Sequence, residues 1–212
     1  MAEILKGLHA PDTYSNTFFL ADQRLILVDT GTADAGPAIL DYLRKIRMKP
    51  SDIGTIIITH THPDHVGGLA AIKRETPAKV AAHRIEADFI SKKKTYAGPP
   101  GAAVQRHPGT PVDVLLEDGS VQDGLRVIFT PGHTTGSISL LDEARSLLIA
   151  GDAINNEGSL RPMDDRYNVD PKQHRESIKK LGAFAFENLV MGHGTPILGG
   201  ASKRVRDLAA RL

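Results

Sequence analysis

Residues 59–65 read Thr-His-Thr-His-Pro-Asp-His, and this heptapeptide constrains the fold of the chain more than any other stretch. Three imidazoles, on His60, His62 and His65, stand beside the carboxylate of Asp64. The run before them, Ile53-Gly-Thr-Ile-Ile-Ile-Thr59, is β-branched and short, and it reads as a buried strand. The run after them, from Val66-Gly67-Gly68-Leu69 to Thr76, reads as the start of a helix. The donors are therefore expected on a strand-to-helix loop, where side chains converge from a rigid support. Imidazole with carboxylate suits Zn²⁺ and other borderline divalent ions, and a chain without Cys has no thiolate to offer. The motif reads as a metal site.

One loop cannot close such a site, and three other segments have the same character. His133 lies in Thr130-Pro-Gly-His-Thr-Thr-Gly136, after the strand-like Leu125–Thr130. Asp152 lies in Ala150-Gly-Asp-Ala153, after Ser146–Ala150, and His193 lies in Met191-Gly-His-Gly-Thr-Pro196, after Asn188–Met191. Each is a donor in a glycine-containing loop at the end of an apolar run, and glycine permits a sharp turn and a close approach to an ion.

With Val28-Asp29-Thr30-Gly31 ahead of them, these elements follow one another as they do in the metallo-β-lactamase superfamily, which the chain resembles from residue 28 to 194. The resemblance implies an α/β fold, a four-layer αβ/βα sandwich formed by residues 1–212 as one domain, with a metal pair at one edge. It implies that His60, His62 and His133 bind one ion, that Asp64, His65 and His193 bind the second, and that Asp152 bridges both. Family members that hold a di-iron centre usually carry Glu at the position of His62, and classical class B β-lactamases usually lack the bridging Asp. Both departures point to a binuclear hydrolase outside those branches.

The implied mechanism follows from charge. Two divalent ions bring the pKa of a bridging water near neutrality, giving a hydroxide nucleophile, and polarise the substrate oxygen. Asp64 is the candidate catalytic residue, orienting that water and passing a proton to the leaving group. Asp29 is expected behind the ligands, accepting a hydrogen bond from an imidazole or from the metal-loop backbone. Its bland reading, a strand-end turn former in Asp-Thr-Gly, is compatible with that role.

The expected partner is a small ester-like substrate: a thioester, a lactone or a simple ester. The chain is similar to small glyoxalase II-like proteins, yet Leu212 follows soon after His193, where full-length glyoxalase II continues into a glutathione-binding helical domain. Quorum-signal lactonases tend to place a catalytic Tyr three residues after the bridging Asp, where this chain has Asn155. Two alternatives stand beside ester hydrolysis: phosphodiester or phosphotriester cleavage by the same metal pair, and a mononuclear iron persulfide dioxygenase. Zinc is the expected metal from the ligand types, with iron or manganese able to use the same donors.

Substrate selection is expected from two regions. Residues 94–111 are rich in Gly and Pro and offer Tyr96, Arg106 and His107, although an exposed connection is the plainer reading. Residues 153–169 read as a polar loop and offer Asn155, Asn156, Arg161 and Tyr167. His9, His83 and His174 read as ordinary surface or satisfied histidines, and Lys92–Lys94 as a solvated helix end.

The remaining helices are expected at 35–48, 84–93, 171–182 and 200–212, and Asp170-Pro171-Lys172-Gln173 carries the capping pattern of a helix start. A formal charge of +1 gives no reason to expect nucleic acid or an anionic membrane. The chain shows no apolar run of the ~18–20 residues a membrane span needs. The N-terminus lacks a leader pattern, so a cytoplasmic protein is expected, and the oligomeric state is left open.

Overall fold

Strands that are apolar on both faces must be covered on both sides, and the chain answers this with helices laid against two separate mixed sheets. The structure, a computed structural model, describes all residues except 1–2, 22–23, 97, 100 and 101–106. The chain divides into two units, Met1–Tyr96 with Val104–Leu115, and Ala97–Ala103 with Leu116–Leu212.

The first unit carries a seven-stranded sheet in sequential order: β1 (Glu3–Leu5), β2 (Leu8–His9), β3 (Phe18–Ala21), β4 (Leu25–Val28), β5 (Ile53–Ile58), β6 (Lys79–His83) and β7 (Val114–Leu116). Helices α1 (Ala35–Lys45), α2 (Pro63–Val66), α3 (Leu69–Glu75) and α4 (Arg84–Ile90) lie between strands in the sequence. Strands β1 to β4 pair antiparallel, whereas β4, β5 and β6 run parallel, with Val28 opposite Ile57 and Ile58 opposite Ala82. Leu25-Ile-Leu-Val28 and Ile56-Ile-Ile58 are buried throughout, which is why they read as unbroken apolar runs. Ile39 and Leu43 of α1, Leu69 and Ile72 of α3 and Ile90 of α4 close over them. Because the three strands are parallel, their C-terminal ends share one edge. Asp29, the His60–His65 segment and His83 all leave from there.

The second unit contains β8 (Val121–Gln122), β9 (Leu125–Phe129), β10 (Ile138–Asp142), β11 (Leu147–Ile149), β12 (Ile154–Asn156), β13 (Arg161–Pro162), α5 (Pro171–Leu181), β14 (Asn188–Val190), β15 (His193–Gly194), β16 (Ile197–Leu198) and α6 (Ala201–Ala209). Its main sheet runs β16-β14-β11-β10-β9-β8, and a small second sheet runs β13-β12-β15. Strand β11 is parallel to β14, and two antiparallel steps make β9 point the same way. The loops carrying His133, Asp152 and His193 therefore leave the sheet at the same edge. Ile178 and Leu181 of α5 and Val205 and Leu208 of α6 pack with Leu148, Phe186 and Leu189.

Three details differ from the sequence expectation. Helix formation starts inside the metal motif, at Pro63, because proline's fixed φ and missing N–H suit the first helical position. The expected loop 153–169 contains β12 and β13, with β12 paired to β15 on one side and to β13 on the other. His193 accordingly lies in a strand. Arg106 falls outside the described residues.

Candidate metal-binding residues

In the first unit the donors are brought together by the strand-to-helix turn. The rings of His60 and His62 lie 4.7 Å apart, and those of His60 and His65 4.1 Å apart. Asp64 Oδ2 stands 3.7 Å from His65 Nε2. The turn is held from behind. The backbone N–H and the hydroxyl of Thr30 both donate to the His65 carbonyl at 2.8 Å, and the Ser15 hydroxyl donates to the Asp64 carbonyl. Gly68 is required here, since a Cβ would come within 2.3 Å of the Thr30 oxygen.

Asp29 decides which imidazole nitrogens face a metal. Its carboxylate accepts from the Thr59 N–H at 2.8 Å, from the Thr59 hydroxyl at 2.7 Å and from His65 Nδ1 at 2.8 Å. A neutral His65 therefore carries its proton on Nδ1 and its lone pair on Nε2. The Thr59 hydroxyl spends its hydrogen on Asp29, so its oxygen accepts from His60 Nδ1 at 3.0 Å, and His60 too presents Nε2. His62 is held the other way round, with Nε2 3.0 Å from the Tyr96 hydroxyl. Burial, with the negative charge of Glu86 adding to it, pushes the Tyr96 phenol well above its usual range, so it stays protonated. When Nε2 donates to that oxygen, Nδ1 becomes the coordinating atom of His62. Glu86 is fully buried, and its carboxylate accepts the N–H of Thr61, between the two histidines.

The second unit supplies three more donors. Asp152 Oδ2 lies 3.3 Å from His133 Nε2 and 3.4 Å from His193 Nε2. Two ligands about 2.1 Å from one ion at a tetrahedral angle stand about 3.4 Å apart, so this spacing fits donors that share a cation. His133 Nδ1 faces Asn168 Oδ1 at 2.9 Å, which turns Nε2 outward for the same reason as in His65. His193 is fixed by the small sheet, where Asn155 pairs with His193 and Asn156 with Gly194. Gly194 is needed because a Cβ would fall 2.2 Å from the Asn156 carbonyl carbon. Nitrogen and oxygen donors, lone pairs fixed by hydrogen bonds and spacings of 3.3–3.7 Å make each cluster suited to a divalent ion.

The residues expected to choose substrate are placed differently. Asn155 is buried and turned to Glu157, donating to its carboxylate at 3.1 Å and accepting its N–H at 2.7 Å. Asn156 donates to the Thr195 carbonyl at 2.8 Å. Tyr167 is half-buried under the Arg166 guanidinium, 4.9 Å from its ring centre. His107 is buried, and desolvation together with Lys92 pushes its pKa down to about 4. Lys94 pairs with Asp88 at 2.8 Å on an exposed surface. Sequence reasoning missed Ser15, Glu86 and Asn168, while His174, read as an ordinary surface or satisfied histidine, is buried with both ring nitrogens hydrogen-bonded. Nothing in their local sequence marks them, since each acts through a partner far along the chain.

The family model described as the metallo-beta-lactamase superfamily matches residues 10–193. A probable metallo-hydrolase of Bacillus subtilis is 28% identical over 99% of this chain and 92% of its own length. A hydroxyacylglutathione hydrolase of Cereibacter sphaeroides is 31% identical over 65% of this chain, which spans 47% of that protein. Among solved structures, a metallo-beta-lactamase of Cronobacter sakazakii with a HARLDQ motif superposes with TM-score 0.75 at 24% identity, covering 99% of this chain and 82% of its own. The α/β fold of the metallo-β-lactamases is thereby matched.

Proposed function

The chain belongs to the metallo-β-lactamase superfamily as a hydrolase, and from that premise we propose a binuclear zinc enzyme that cleaves a small ester-like substrate. In this reading His60, His62 and His133 hold one ion, Asp64, His65 and His193 hold the other, and Asp152 joins them. The supporting observation is that hydrogen bonds inside each unit fix the lone pairs of His60, His65 and His133 on Nε2. Such a pre-oriented set costs little reorganisation when an ion binds.

A bound metal pair supplies a water acidified to near neutral pH and a Lewis acid for the substrate oxygen. The protein's part is positional. Asp64 has a side chain 23% exposed beside a fully buried His65, so solvent reaches its carboxylate, which can orient a water and carry a proton to the leaving group. Thioesters rank first among the substrates because hydroxyacylglutathione hydrolases are among the relatives.

The test is a substrate panel on zinc-loaded protein: aryl esters, acyl thioesters, lactones, phosphodiesters and phosphotriesters, with persulfide and an oxygen electrode alongside. Turnover of a carboxyl derivative that is lost in Asp152→Ala is the expected result. Turnover confined to phosphate esters, or oxygen uptake on the persulfide, would overturn the ester reading.

A further inference from the structure

We propose that Asn168 and His174 are positioning residues that link the Asp152 and His133 loops through one hydrogen-bond relay, making His133 an Nε2 ligand. The proposal rests on the reading of His133 and Asp152 as metal ligands. The relay begins at a backbone carbonyl, and its polarity follows from that single atom. His174 Nε2 lies 3.3 Å from the carbonyl oxygen of Asp152, which can only accept, so His174 carries its proton on Nε2. His174 is completely buried, and with its hydrogen on Nε2 the neutral ring offers Nδ1 as an acceptor. Asn168 Nδ2, 3.2 Å away, donates to it.

That donation fixes the Asn168 amide, whose Nδ2 also reaches the Met163 carbonyl at 3.2 Å. Its Oδ1 then faces His133 Nδ1 at 2.9 Å and can only accept, so His133 holds its proton on Nδ1 and its lone pair on Nε2. The relay ends with the His133 Nε2 lone pair 3.3 Å from Asp152 Oδ2, two acceptors at the spacing of ligands that share one cation.

The same helix grips the His133 loop by its main chain. The N–H of Asp170 donates to the Gly132 carbonyl at 2.9 Å, the N–H of Val169 to the His133 carbonyl at 3.2 Å, and the Ser177 hydroxyl to the Pro131 carbonyl at 2.6 Å. Gly132, at φ 123°, leaves no room for a Cβ, which would sit 2.2 Å from the His174 backbone nitrogen. Side chain and backbone of His174 thus meet two donor loops at once.

The experiment uses metal-free protein labelled with ¹⁵N-histidine at neutral pH, read by two-bond ¹⁵N–¹H correlation, with zinc affinity measured by chelator competition. Wild type is expected to show His133 as a pure Nδ1–H tautomer and His174 as a pure Nε2–H tautomer. Asn168→Leu should leave His133 as a tautomer mixture and weaken zinc binding about tenfold to a hundredfold. Asn168→Asp keeps the acceptor for His133 but offers His174 no donor, so only the His174 signature should change. A mixed or Nε2–H His133 in wild type would overturn the proposal, as would wild-type zinc affinity in Asn168→Leu. If Asn168→Leu fails to fold, the wild-type spectrum and Asn168→Asp still decide. Correct tautomers with tight zinc binding but no hydrolysis would sink the hydrolase reading and leave the relay standing.

Discussion

Both units hold imidazole lone pairs in a fixed direction, and they do so with different chemistry. In the first, one buried carboxylate, Asp29, gathers three hydrogen bonds and orients His65 directly and His60 through the Thr59 hydroxyl. In the second, the partner of His133 is the neutral amide of Asn168, itself aimed by His174. A bond to an ionised acceptor is roughly twice as strong as a neutral one and raises the basicity of the ligand. Burying that charge is costly unless donors surround it, and Asp29 has three. The amide avoids this cost but must be aimed by its surroundings. The first unit therefore relies on charge, and the second on close packing against α5.

The sharpest way to break the comparison is Gly132→Ala. A Cβ within 2.2 Å of the His174 backbone nitrogen forces the donor loop off α5, and the left-handed φ adds strain. A stability loss of about 3 kcal/mol or more is expected in chemical denaturation, with the His60 and His65 tautomers unchanged. A loss below about 1 kcal/mol would show that packing does not hold this loop.

Asp29→Asn makes the first unit resemble the second by replacing the charged acceptor with an amide. Asp29 sits at φ 59°, a conformation Asn tolerates, so the backbone should persist. The amide nitrogen must then face one of three donors. Zinc affinity should fall about tenfold to a hundredfold, with a stability loss of about 1–3 kcal/mol. Unchanged affinity would mean that the charge adds nothing beyond what an amide provides.

A smaller effect concerns pH. The pKa of His107 is lowered to about 4 in the folded protein from 6.5, so below 6.5 the unfolded chain takes up a proton that the folded one refuses. Stability is full above pH 6.5 and is lost as pH falls towards 4, by at most about 3 kcal/mol. His107→Phe should flatten that part of the pH–stability curve of metal-free protein. An unchanged slope would assign it to other groups.

How far the sequence revealed these two regions depends on what fixes each part. The parallel strands β5 and β4 were legible because burial on both faces leaves unbroken apolar runs, and Asp170-Pro171-Lys172-Gln173 marked the start of α5 by its capping chemistry, with Asp170 accepting the Gln173 N–H at 3.0 Å. The donors of the His60–His65 motif were legible because they are neighbours in the chain. Their supports were not. Glu86 meets Thr61 across 25 positions and Asn168 meets His133 across 35, and such pairings depend on where strands end rather than on local pattern. Strands β12 and β13 escaped notice for a similar reason, since Ile154-Asn-Asn156 becomes a strand where β15 lies alongside it and Arg161-Pro162 where it pairs with β12.

The account turns on whether these donors hold a metal pair, and elemental analysis of protein purified without added metal tests it most directly. About two zinc per chain is the predicted result, falling towards one or less in Asp152→Ala with the fold intact. About one iron per chain, with oxygen consumed on a persulfide, would contradict it.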